Sequence, residues 1–325
     1  MMPVKLVILD GYTVNPGDLS WDGFSGFGEL TVYDRTAPGE RASRIQGAAA
    51  VFTNKVIIDQ PLIASNPQLK YIGVLATGYN VVDLNAADQA GITVTNIPSY
   101  STDSVAQLVF AHILHITHRV DWHAHEVAQG AWYKSVDFSF CLSPQTELAG
   151  KTLGIIGFGQ IGQRVAALGK AFGMRILFHN RSVKTGLSPA YKQVTLEELL
   201  KKSDVISLNC PLTEENREFI NRDTIGLMKK HAILINSGRG PLIREEDLAE
   251  ALNSGRIAAA GLDVLSEEPP RGDNPLINAK NCFITPHLAW ATAEARKRLI
   301  VKAIANYEAS LNGKPQHVVN TPKTF

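Results

Sequence analysis

Three side chains in the second half of this chain could together handle a 2-keto acid: Arg239, Glu268 and His287. Each follows closely on an apolar, strand-like run, in the segments 236–240, 261–269 and 285–292. An arginine can grip a carboxylate through two parallel hydrogen bonds and polarise the neighbouring carbonyl. A histidine can give a proton to the carbonyl oxygen as hydride arrives. A glutamate beside it would orient the ring and favour its protonated form through its charge. Taken singly, a strand-end histidine is more often structural, and Glu267-Glu268 reads as a solvated pair. Their arrival at successive strand ends favours chemistry, because ligands in open α/β sheets bind at the carboxyl ends of the strands.

A carrier for the hydride is implied upstream. Gly157-Phe158-Gly159-Gln160-Ile161-Gly162 follows the apolar run 153–156 and opens a helix-like run, 163–172. The first glycine permits a tight turn, the second lets backbone approach a pyrophosphate, and the third allows close helix–strand packing. The pyrophosphate would rest on the helix N-terminus at Gln160 and Ile161, where free N–H groups favour negative charge. An acidic residue is expected about 20 positions further on, to bind the adenosine ribose. Here the strand ends Phe178-His179-Asn180-Arg181-Ser182. Asn180 can still bond a ribose hydroxyl but does not repel a 2′-phosphate, and Arg181 adds a bidentate donor suited to one. The pair suggests that NADP is accepted as well as NAD. The alternative is that Arg181 is solvated and NAD is used.

The elements that must position these groups form two series. Strand-like runs fall at 5–9, 30–33, 48–53, 71–75 and 92–96, and again at 152–156, 175–179, 205–209, 232–236, 258–262 and 282–285. Most are continuous aliphatic runs, as expected of parallel strands buried on both faces. Helical stretches between them begin at recognisable signals, such as Asp103-Ser104 before an apolar run and the capping-box pattern from Thr195 to Glu198. The pattern predicts two doubly wound α/β domains. One long helical segment, 289–311, follows the second series. A terminal helix of this kind often packs back on the first domain, which would make the nucleotide domain an insertion. The expected division is 1–101 with 289–325 as the substrate domain, and 102–288 as the nucleotide-binding domain.

With these motifs in order, the chain resembles the D-isomer-specific 2-hydroxyacid dehydrogenase family. The match runs from Leu75-Ala76-Thr77-Gly78-Tyr79-Asn80 to the terminal helical segment, and includes the glycine fingerprint, Ser237-Gly238-Arg239-Gly240, Glu268-Pro269 and Pro286-His287. The resemblance implies a Rossmann domain inserted into a flavodoxin-like substrate domain. It implies Arg239 as the substrate-binding residue, His287 as acid/base and Glu268 as its partner. It implies further that Ala76, Thr77 and Gly78 offer backbone N–H groups to the substrate carboxylate, that Asp263 contacts the nicotinamide carboxamide, and that Cys210 and Pro211 line the adenosine half of the cofactor beside Ser237. It also implies a homodimer, formed through the segment between the Val105 helix and the fingerprint. Segment 285–292 is similar to the glycerate dehydrogenase (hydroxypyruvate reductase) branch, with Trp290 walling a small polar pocket. Asn54 and Lys55 are similar to that branch too, although Lys55 also reads as a surface lysine. A broader lactate-type or aromatic 2-keto-acid reductase, or a non-catalytic nucleotide-sensing protein on the same fold, are the alternatives.

Composition bounds the rest. The 325 residues are 45% hydrophobic and 19% charged, with a net charge of +1, which gives no reason to expect nucleic acid or a membrane surface as partner. No apolar run reaches the length of a membrane span, and the N-terminus lacks the layout of a signal peptide. Three scattered cysteines suggest a reducing compartment, hence the cytoplasm. His112, His115, His118, His123 and His125 invite a metal reading, but no complementary ligands accompany them, and an interface helix is preferred. Arg271-Gly272-Asp273 reads as a turn.

Overall fold

The computed structural model describes residues 4–322; residues 1–3 and 323–325 of the expected substrate domain lie outside them. The chain divides into two compact units, Met1–Ser101 with Ala291–Phe325, and Thr102–Trp290.

The first unit holds a parallel sheet in the order β2-β1-β3-β4-β5, with β1 Lys5–Ile8, β2 Glu29–Val32, β3 Ala50–Thr53, β4 Tyr71–Val74 and β5 Thr93–Thr95. This is the flavodoxin-like order. β3 and β4 are buried at every position, whereas edge strand β2 is not. Helices α1 Arg41–Ile45, α2 Gln60–Ala64 and α3 Leu84–Gln89 connect the strands, and Asp59 and Asp83 cap the latter two. The helix Ala293–Leu311 completes the unit. Its Tyr307 meets Phe27, Phe52 and Tyr71 edge-on at 5.5, 5.6 and 4.9 Å between ring centroids. The helix starts four residues later than the apolar pattern predicts. Thr292 caps it by accepting from Ala295 N, and Ala289 N is instead bound by Asp263. Arg296, 8% exposed, donates two hydrogen bonds to Asp18, at 2.7 and 2.6 Å, and others to the carbonyls of Val14 and Ala291.

The second unit carries helices α4 Thr102–His118 and α5 Val120–Ala128, then a seven-stranded parallel sheet. Its strands are β6 Thr152–Ile156, β7 Arg175–His179, β8 Tyr191–Gln193, β9 Val205–Leu208, β10 Ile233–Asn236, β11 Ala259–Leu262 and β12 Cys282–Ile284. The order β12-β11-β10-β9-β6-β7-β8 is the dinucleotide-binding order with one further strand at the β12 edge. Four strands, β6, β9, β10 and β11, are buried at every position, which is why they read as unbroken apolar runs. β8 has no such run. Its three residues, Tyr-Lys-Gln, lie at an edge, and the sequence pattern missed it. Helices α6 Gln160–Ala171, α7 Leu196–Lys202, α8 Arg222–Leu227 and α9 Glu245–Asn253 follow their strands.

At the N-terminal ends of these strands, buried Asp204 accepts from Thr152 N at 2.7 Å, Lys229 Nζ at 2.8 Å and His231 Nε2 at 2.9 Å. Burial alone would raise its pKa, but these donors outweigh burial and hold the carboxyl at about 2.

Candidate active site

The glycine loop has its shape for steric reasons. Gly157 adopts φ +91°, and a Cβ there would lie 2.5 Å from Cys210 N. A Cβ on Gly162 would lie 2.2 Å from the carbonyl oxygen of Gly157. Gly159, the N-cap of α6, has no atom within 4 Å of a Cβ position, so this backbone faces open space. The N–H groups of Gln160, Ile161 and Gly162 belong to the first turn, where a helix offers no internal acceptors. Beside the loop, Asn209 Oδ1 and Ser237 Oγ are buried and have no partner among the described residues. Open space over a bare N-terminus, with two unspent polar atoms at neighbouring strand ends, fits a dinucleotide. Asn209 was not legible as a site residue; only its place at the end of β9 hints at it.

Asn180 is occupied by the glycine loop and by its own loop. Its Oδ1 accepts from Phe158 N at 3.2 Å, and its Nδ2 donates to the carbonyl and hydroxyl of Ser182, both at 3.1 Å. Arg181 is exposed. Nearby Glu215 has its pKa lowered, first by the Thr213 hydroxyl and to a smaller degree by the charge of Arg181. Cys210 is half-buried, and burial pushes its thiol pKa up. The carbonyl of Pro211 accepts from Asn216.

The three chemical groups stand on loops that pack on each other. Fully buried Asn236 closes its turn by donating to the carbonyl of Arg239 and accepting from Gly238 N, at 2.9 and 3.0 Å. Arg239 is left exposed, with Nη1 on the carbonyl of Gly238. Gly240 must be glycine, since a Cβ would fall 1.9 Å from the carbonyl carbon of Leu265. That loop continues to Glu268, whose Oε1 accepts from Leu265 N and whose Oε2 lies 2.6 Å from His287 Nδ1. A carboxylate can only accept, so Nδ1 carries hydrogen and Nε2 is the nitrogen that faces chemistry. His287 has φ +52°, a left-handed conformation uncommon for its type. Its N–H binds the carbonyl of Asp263 at 2.8 Å. The Asp263 carboxylate accepts from Leu288 N at 2.9 Å and Ala289 N at 2.8 Å. Trp290 is half-buried at the end of this stretch.

The remaining expected substrate contacts belong to the first unit. Ala76, Thr77 and Gly78 follow β4, where the Thr77 hydroxyl donates to the carbonyl of Ile97 and the Thr77 carbonyl accepts from Asn96. Asn54 is 3% exposed and spends its amide on the carbonyl of Leu75. Lys55 is exposed on a loop whose N–H groups at Asn54, Lys55 and Val56 all bind the Asp10 carboxylate. No cluster of His, Cys, Asp and Glu suited to a metal occurs among the described residues.

Comparison with known proteins decides the family. Residues 110–289 match the profile of the D-isomer specific 2-hydroxyacid dehydrogenase, NAD binding domain. The chain is 48% identical to a hydroxypyruvate reductase of Blautia hydrogenotrophica, over 98% of its own length and 100% of the relative's. This chain belongs to the D-isomer specific 2-hydroxyacid dehydrogenase family. The dehydrogenase is also 39% identical to a glycerate dehydrogenase of Methylorubrum extorquens, over 98% and 99% of the two chains. Its fold matches the NADPH-dependent glyoxylate/hydroxypyruvate reductase of Sinorhizobium meliloti, solved with NADP and malonate, at TM-score 0.83 and 26% identity, covering 99% and 98% of the chains. It matches the D-lactate dehydrogenase of Aquifex aeolicus, solved with NAD and lactic acid, at TM-score 0.82 and 29% identity, covering 98% and 100%. The dehydrogenase is thus an NAD(P)-dependent oxidoreductase acting on a small hydroxy or keto acid.

Proposed function

We propose that the protein reduces hydroxypyruvate, and glyoxylate beside it, to D-glycerate and glycolate. The observation that carries the chemistry is the 2.6 Å pairing of Glu268 with His287 on a loop at the carboxyl edge of the sheet. The likeness to a hydroxypyruvate reductase and a glycerate dehydrogenase supports the substrate class.

When bound, the nicotinamide cofactor supplies the hydride. Arg239 holds the substrate carboxylate and draws electron density from the carbonyl. The backbone N–H groups of Ala76, Thr77 and Gly78 are the further donors to a carboxylate in this reading. As the carbonyl carbon becomes tetrahedral, His287 Nε2 gives its proton to the oxygen, so the negative charge never persists. Glu268 keeps the ring oriented and compensates the imidazolium before transfer. His287 is then neutral and recovers a proton from solvent. Asp263 fixes the turn that presents His287 and stands as the contact for the carboxamide. Trp290, Asn54 and Lys55 are the further substrate contacts of this reading.

For the cofactor, the bracing of Asn180 leaves Arg181 to meet the 2′ position, which supports acceptance of NADP beside NAD. Exposed Val120, Trp132, Tyr133, Val136 and Phe138 follow one another in and after α5, and a second copy of the chain would cover them. The free cysteines suit a reducing compartment, which supports reading the protein as a cytoplasmic homodimer. No helix among the described residues is long and apolar enough to cross a membrane.

His287→Gln tests the reading. It keeps a polar side chain of similar reach but cannot supply the proton, so kcat should fall about 10³-fold with cofactor binding retained. Activity within a few-fold of wild type would remove His287 from the chemistry.

A further inference from the structure

A second histidine lies behind the first. His112 projects from α4 into the sheet and is 5% exposed. Its ring covers Gly261 of β11 so closely that a Cβ there would come within 2.8–2.9 Å of it. It therefore does not face a subunit interface, as the run of histidines had suggested. His112 Nε2 lies 3.1 Å from the hydroxyl of Thr285, just past β12. That hydroxyl donates to Asp263 Oδ1 at 2.6 Å. The two oxygens of Asp263 also hold Leu288 N and Ala289 N, the two residues that follow His287 and its left-handed backbone.

The direction of this chain is fixed by donor arithmetic. A buried carboxylate only accepts, so the single hydrogen of Thr285 goes to Asp263. The lone pairs of Thr285 are then what His112 meets, and His112 must be the donor, with hydrogen on Nε2. Burial disfavours a charge on the ring and lowers its pKa, outweighing the opposing pull of Asp263; His115, one turn along the helix, adds to the lowering. A neutral ring with one defined tautomer suits a fixed brace rather than a proton carrier. Donation into the Thr285 oxygen also makes that hydroxyl a stronger donor to Asp263.

We propose that His112 is a positioning residue: through Thr285 and Asp263 it locks the turn that presents His287 to the substrate. This rests on the assignment of His287 as proton donor. The geometry assigns to Gly261 the complementary task of leaving room for the ring.

Two measurements separate this proposal from the functional reading beneath it. Nitrogen-15 NMR of the whole wild-type protein at neutral pH should show His112 as the neutral Nε2–H tautomer. A hydrogen on Nδ1, or a charged ring, would overturn the proposal whatever the enzyme reduces. In kinetics on hydroxypyruvate, His112→Leu should lower kcat about tenfold, the effect of losing roughly one buried hydrogen bond, with KM and thermal midpoint little changed. His112→Gln, which can place an amide N–H where Nε2 stood, should recover most of that loss. A Leu variant with wild-type kcat, or a folded Gln variant no better than Leu, would refute the brace. Should the Leu variant fail to fold, the tautomer and the Gln variant still decide. A wild-type protein inert on every 2-keto acid would defeat the functional reading instead, and leave the tautomer test standing.

Discussion

Glu268 and His287 can be recognised from residue types alone, but what makes them a pair is a 2.6 Å contact across 19 positions of sequence. Glu268→Gln removes the anion beside the ring and keeps an acceptor. The proton donor is then held less firmly, so kcat should fall about tenfold with KM little changed. A wild-type kcat would mean that the contact plays no part in the chemistry. Asn180 shows where residue-level reading stops. The sequence suggests an amide aimed at a ribose, whereas the structure spends that amide on Phe158 and Ser182. The double change Asn180→Asp with Arg181→Leu should shift the ratio of kcat/KM toward NADH over NADPH, by about tenfold for each charge interaction altered. An unchanged ratio would show that the 2′ position is read elsewhere.

Elements buried on both faces were legible, because nothing but aliphatic side chains satisfies such a strand. β8 was not, since three residues at an edge, two half-buried and Lys192 exposed, leave no periodic mark. The start of the last helix was misread by four residues. Ala289 continues its apolar pattern, but the N–H of Ala289 belongs to Asp263, a tie that no local spacing reveals. The clasp at Asp204 was equally invisible. It gathers Thr152 from one segment and Lys229 and His231 from another, and only the fold brings these together. Its carboxyl is held at about 2 against an ordinary 3.8. A depressed pKa means stability that is complete above the unfolded value and lost as pH falls from about 3.8 toward 2. Asp204→Asn should therefore cost about 2 kcal/mol at neutral pH by urea unfolding, with the difference shrinking toward pH 2. Equal destabilisation at both pH values would show that packing, not charge, is what the clasp supplies.

For the whole molecule, order was readable where contact was not. Two strand series and a trailing helix suggested an insertion, and the two sheets have the flavodoxin-like and dinucleotide-binding orders. The resemblance implies a dimer through the segment between the Val105 helix and the fingerprint, and Trp132, Tyr133 and Phe138 in that segment lie 54, 81 and 91% exposed. Changing Tyr133 and Phe138 to Asp should halve the mass seen by light scattering; a wild-type mass in that variant, or a monomeric wild type, would rule out this surface as a dimer interface. The most direct test of the central claim is one panel of 2-keto acids, hydroxypyruvate, glyoxylate, pyruvate and phenylpyruvate, assayed with NADH and NADPH in parallel. The expected result is the highest kcat/KM on hydroxypyruvate, with glyoxylate next and D-glycerate as product. Preference for phenylpyruvate, or cofactor binding with no turnover of any acid, would contradict it.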